Sequence, residues 1–97
     1  MDVDKVFDTV EATKEAGLQR QLILNYLHSN LELLKNDPEA RQDIAFNITS
    51  LSATDYAQSL DEEDPLSITF EFASELEDAD PSHEDWALLI EIIESLE

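Results

Sequence analysis

Along most of the chain, apolar residues recur three and four places apart, so the dominant pattern is helical. From Asp2 to Ala16, Val3, Val6, Phe7 and Val10 form one apolar stripe. Asp2, Asp4 and Asp8 stand near its start and Lys14 near its end, the charge order that a helix dipole favours. Gly17, the single glycine of the chain, is the expected stop. A second helix is predicted from Leu18 to Lys35. At 100° per residue its apolar positions (Leu18, Leu22, Ile23, Leu24, Tyr26, Leu27, Leu31, Leu33, Leu34) cover more than half the circumference. Such an arc predicts a central helix touched on several sides, or one that also meets a second copy in a homodimer.

Three Asp-Pro pairs (Asp37-Pro38, Asp64-Pro65, Asp80-Pro81) punctuate the rest. Aspartate is a favoured N-cap and proline a favoured first helical residue, so each pair predicts a helix start. After the first pair, Ala40, Ile44, Ile48 and Leu51 share a helical face with Phe46 opposite, although Ile44, Phe46 and Ile48 also alternate as in a strand. Leu51 to Leu60 predicts a short helix or turn capped by Thr54 or Ser52, with Tyr56 and Leu60 turned inward.

The second pair opens the stretch Pro65 to Asp78. As a helix it places Leu66, Phe70, Phe72, Ala73 and Leu76 on one side and Ser67, Glu71, Ser74, Glu75 and Asp78 on the other. As a strand it would turn Leu66, Ile68, Phe70 and Phe72 inward but account only for its first half. The third pair opens Pro81 to Leu96, with Trp86, Leu89, Ile90, Ile93 and Leu96 inward, Leu88 and Ile92 beside them, and Glu84, Glu91 and Glu94 outward. Asp80 is its expected cap, with Glu84 and Asp85 in the first turn. The expectation is all-α: a compact bundle of about five short helices in one domain, 1–97. The alternative is α+β, with a small hairpin from 44–50 and 66–72.

Composition narrows the class. At 42% hydrophobic the chain is too apolar for a disordered acidic tail, and it has no cysteine for a disulfide framework or thiolate chemistry. Its start, Met-Asp-Val-Asp-Lys, has no signal-peptide pattern, and its longest apolar run is Trp86 to Ile90. A membrane span needs about 20 such residues, so a soluble, cytoplasmic protein is expected.

The net charge of −19 is unevenly placed. The first 41 residues hold 8 acids and all 5 bases; the rest hold 16 acids and no base, so the formal charge divides as −3 and −16. Nucleic acid and anionic membranes are bound largely through Lys and Arg, so neither is an expected direct partner. A basic protein surface is.

Catalysis finds little material. There is no thiol nucleophile, and one glycine cannot supply a nucleophile elbow, a phosphate loop or a dinucleotide fingerprint. His28 and His83 fall in different elements with no ligand spacing. Asp78, Asp80, Ser82 and Glu84 alternate like the start of a calcium loop, but the sixth position lacks glycine and Leu89 stands at the twelfth. Ser50, Ser59 and Ser95 each precede a leucine, yet none follows an aspartate as a phosphopantetheine carrier requires. No enzyme, cofactor or metal is expected.

What remains is the acidic surface. The candidate partner-binding residues are Asp61, Glu62, Glu63, Glu71, Glu75, Asp78, Glu84, Asp85, Glu91 and Glu94, with Asp64 among them as a cap. Carboxylates three or four apart on a helix lie about 5–6 Å from one another, and duplex DNA carries about one charge per 1.7 Å of axis. Two such faces joined by an acidic loop can therefore imitate a phosphate array. Solubility needs a net charge of magnitude only about 2–8, far below the observed value. Glu91, Glu94 and Glu97 crowd the negative end of the last helix with no cation expected nearby, which folding alone would not select.

These features predict an acidic inhibitor that occupies the nucleic-acid-binding surface of a basic partner. A DNA mimic, a phage inhibitor of a nuclease or CRISPR effector (an anti-CRISPR), and an immunity protein against a toxin nuclease are its three forms. The alternative is a structural or adaptor subunit that uses an apolar helix face.

Overall fold

The three Asp-Pro pairs do three different things in the computed structural model, which describes residues 2–96. Asp64 is a true N-cap: its Oδ1 accepts from Leu66 N at 2.9 Å and opens α6 (Pro65–Leu76). Asp37 accepts from Glu39 N at 3.2 Å, but the helix it opens is a single 3-10 turn (Pro38–Ala40) that runs on into α4 (Arg41–Leu51). Asp80 accepts from Ser82 N and Oγ and closes only a turn; the last helix, α7 (Asp85–Ser95), begins after it. Pro81 to Glu84 therefore lie before α7, with Glu84 at its N-cap position. The indole of Trp86 explains the delay. Its Nε1 donates to Asp80 O at 2.9 Å, so the ring that α7 buries also holds the turn ahead of it.

α1 (Val3–Ala12) starts on Asp2, whose side chain accepts from Asp4 N. It ends at Thr13, four residues before the glycine expected to stop it. Gln19 supplies the stop: its Nε2 donates to Val10 O at 3.0 Å and Thr13 O at 2.8 Å, satisfying carbonyls that a helix end leaves open. Gly17 instead lies in the first turn of α2 (Ala16–Ser29) without positive φ, and a Cβ there would meet only Glu15 at ordinary contact distance.

The long second helix is broken. Ser29 Oγ and Asn30 Nδ2 both donate to Tyr26 O, at 2.8 and 2.9 Å, and compete with the backbone for it. The chain bends at Asn30 and resumes as α3 (Leu31–Asn36). Thr54 caps α5 (Asp55–Gln58) through Ala57 N.

Five helices of ten residues or more and two shorter ones make an all-α bundle, with no strand among the described residues. Both stretches with strand-like alternation are helical. In α4, Ile44, Ala45, Ile48 and Leu51 are buried and Phe46 is 60% exposed; in α6, Leu66, Thr69, Phe70, Ala73 and Leu76 are buried. Period 3.6 matches these burial sets and period 2 does not. Thr69 is tolerated inside because its hydroxyl donates to Pro65 O.

α4 lies against α6, α1 and α3; α6 packs on α7; α2 touches α1, α3, α5 and α7. One core joins them, including Ile23, Leu27, Leu34, Ile48, Leu51, Leu66, Trp86, Leu89 and Ile93. Each large apolar side chain so buried contributes about 1.5–3 kcal/mol. The radius of gyration, 12.5 Å, is that of a well-packed chain of this length. No helix is long and apolar enough to cross a membrane among the described residues.

A stapled acidic surface as the candidate functional site

Three of the five bases reach across the fold into the acid-rich half. Arg20, on α2, holds both carboxylate oxygens of Asp64 at 3.1 Å and approaches the Tyr56 hydroxyl at 3.4 Å. Arg41 donates to Leu34 O at 2.8 Å and Pro81 O at 2.6 Å, joining the end of α3 to the turn before α7. Lys35 Nζ lies 3.0 Å from Glu94 Oε2, joining α3 to α7. Nothing in the local sequence announces these contacts. A lone cation in an acidic chain is the signal available, and it does not name its partner.

The bidentate arginine, with the Leu66 backbone N–H, holds the Asp64 carboxyl below its ordinary range; Asp64 and Tyr56 in turn raise the Arg20 guanidinium. Asp80 is also lowered, by hydrogen bonds from Ser82. Both carboxylates are thus favoured in the ionised form by their structural contacts.

The expected unfavourable end of α7 is relieved by Lys35 and by His28. Glu94 has Lys35 as its cation, and His28 Nε2 lies 3.1 Å from Ile93 O, a carbonyl at the end of the helix. His28 therefore reaches from α2 to a carbonyl in the last turn of α7. Glu97 lies outside the described residues. His83 accepts the Asp85 backbone N–H on Nδ1 at 3.1 Å, a start signal for α7 that the sequence reading assigned to Asp80.

The remaining candidate residues keep their charge outward. Asp61, Glu62, Glu63, Glu71, Glu75, Asp78, Glu84 and Glu91 are exposed, and Asp85 is half-buried. Asp61 accepts from Glu63 N and so shapes its own loop. The carboxylates of Glu62, Glu63, Glu71, Glu75, Asp78, Glu84 and Glu91 have no hydrogen bond or ion pair among the described residues.

The structure gathers some of these acids and not others. Glu62, Glu63 and Glu71 share the rim of one hollow of about 560 Å³ with Leu60 and Ser67. Glu71 and Glu75 are one turn apart and exposed on α6, and Asp78 lies just past its end. Glu91 belongs elsewhere, beside Leu88, Ile92 and Ser95 in a separate hollow of about 300 Å³. Glu94 is drawn toward α3 by Lys35. The structure therefore brings together Glu62, Glu63 and Glu71, with Glu75 one turn further along α6; Asp78 lies past the end of that helix, Glu84 and Asp85 at the start of α7, and Glu91 further along α7.

Among the described residues, no three or more His, Asp and Glu side chains converge as a metal site would require. No protein-family model, curated protein or solved structure matches the chain.

Proposed function

We propose that this chain is an acidic antagonist that occupies the nucleic-acid-binding surface of a basic protein. One observation carries the reading. The fold ties down Arg20, Lys35 and Arg41 internally yet leaves the carboxylates of Glu62, Glu63, Glu71, Glu75, Asp78, Glu84 and Glu91 exposed and without a partner among the described residues. A net charge of −19 costs stability through self-repulsion, and an external basic surface would relieve it. The acids would steer a basic partner into rapid encounter and then form charge-assisted contacts with its Lys and Arg side chains. A DNA-mimic inhibitor, an anti-CRISPR and a toxin-nuclease immunity protein are the forms this takes, in each case without direct contact to nucleic acid.

A pull-down from the native host tests it. The immobilised chain should retain a nucleic-acid-binding protein at about 50 mM salt, release most of it by about 500 mM, and lose it to added duplex DNA. Retention that neither salt nor DNA disturbs would count against the proposal.

The adaptor alternative starts from the wide apolar arc over 18–35 and needs exposed apolar side chains, of which Leu18, Leu33, Phe46 and Leu88 are the large ones among the described residues. They stand on four different helices (α2, α3, α4 and α7). Light scattering discriminates: a dimer indifferent to salt favours the adaptor, a monomer the antagonist.

A further inference from the structure

Phe46 is the most exposed of the large hydrophobic side chains, at 60%. It sits mid-helix in α4, opposite Ile44, Ala45 and Ile48, so the core does not need it. Asp43, three residues earlier, lies on the same side, is exposed, and has no partner among the described residues. Gln42, one turn before Phe46, donates to Ala79 O at 2.6 Å. That contact fixes the outer side of α4 beside the end of α6, where Asp78 immediately precedes Ala79. An exposed aromatic ring thus stands one turn from the carboxylate of Asp43, while Arg41, the cation next to Gln42 in the chain, is committed to Leu34 O and Pro81 O.

From this juxtaposition we infer that Phe46 is a recognition side chain for arginine on the basic partner. A guanidinium is planar, more weakly hydrated than an ammonium, and able to stack on an aromatic face while its N–H groups reach a carboxylate. Phe46 offers the face and Asp43 the acceptor. A lysine ammonium gains less from the ring because it is strongly hydrated and cannot stack. The occupant fitted by this surface is therefore an arginine-bearing protein surface, with charge complementarity as the argument. The inference rests on the acidic-antagonist reading and adds to it a side-chain preference that charge alone would not produce.

Deca-arginine and deca-lysine peptides, titrated at about 50 mM salt, test it on the intact chain. The wild type should bind the arginine peptide more tightly. Phe46→Ala should weaken that binding by about 3- to 10-fold and leave the lysine peptide within about 2-fold. Phe46→Tyr should keep the preference, and Phe46→Leu, which retains apolar area without a π face, should lose it. Thermal melts should be unchanged in all three variants, since the ring is exposed. An unchanged arginine affinity in Phe46→Ala, or full retention in Phe46→Leu, would overturn the inference and leave the acidic-surface reading intact. Failure of the wild type to bind either peptide would overturn both.

Discussion

Arg20 and Asp64, 44 residues apart, meet through two parallel contacts of 3.1 Å, and Asp64 also caps α6. One carboxylate thus starts a helix and fastens the base-bearing half of the chain to the base-free half. Asparagine would keep the cap but lose the ion pair, so the two roles separate by mutation. Asp64→Asn should cost about 1–2 kcal/mol, which for a domain of this size lowers Tm by roughly 4–16 °C. Asp64→Ala should cost about 1 kcal/mol more through the lost cap.

The same pair sets a pH dependence. The folded Asp64 carboxyl lies below its unfolded value, so in acid the unfolded chain binds its proton first. The stability it contributes is present above the ordinary carboxylate range and is lost as pH falls through the lowered folded value. The Asp64→Asn and wild-type stabilities, followed by denaturant titration, should therefore converge as pH drops from about 5 to 2. A constant gap across that range would contradict the assignment.

Added salt should stabilise the chain. Its ion pairs are few and partly exposed, whereas repulsion among exposed carboxylates is widespread. Tm should rise by several degrees between about 20 and 500 mM NaCl as the Debye length shortens. A fall would mean that the staples outweigh the repulsion.

Trp86 links the core to the turn ahead of α7. Trp86→Phe should cost about 1–3 kcal/mol, because the smaller ring leaves space in the core and Asp80 O keeps only the His83 backbone N–H of its two donors. As the sole tryptophan, Trp86 also reports unfolding by fluorescence in the wild type; circular dichroism follows the variant.

Much of the fold was legible in the sequence because helices leave local marks. The stripe Val3, Val6, Phe7, Val10 and the Asp64-Pro65 start needed only spacing and capping rules to read. Where the reading missed, the deciding contact came from elsewhere: Gln19 ends α1, the Ser29 and Asn30 side chains break the second helix, and Trp86 pins the turn at Asp80. The site shows the same division. Which residues were acidic was plain, and so was the segregation of charge. That Lys35 neutralises Glu94, and that Glu91 stands apart from Glu62, Glu63 and Glu71, depended on packing.

That division ranks the acids for binding. Glu94 already has a cation, so Glu94→Gln should weaken a basic partner by less than about 2-fold, against about 3- to 10-fold for the double change Glu71→Gln and Glu75→Gln. Isothermal titration against the captured partner measures both.

The proposed competition of exposed carboxylates with nucleic acid for a basic surface has a direct measure. It is tested most directly by the salt dependence of Kd for the captured partner, measured with and without its nucleic acid. A steep linear rise of log Kd with log salt, together with mutually exclusive binding of chain and nucleic acid, is the predicted result. A Kd unchanged by salt, or a stable ternary complex with the nucleic acid still bound, would contradict it.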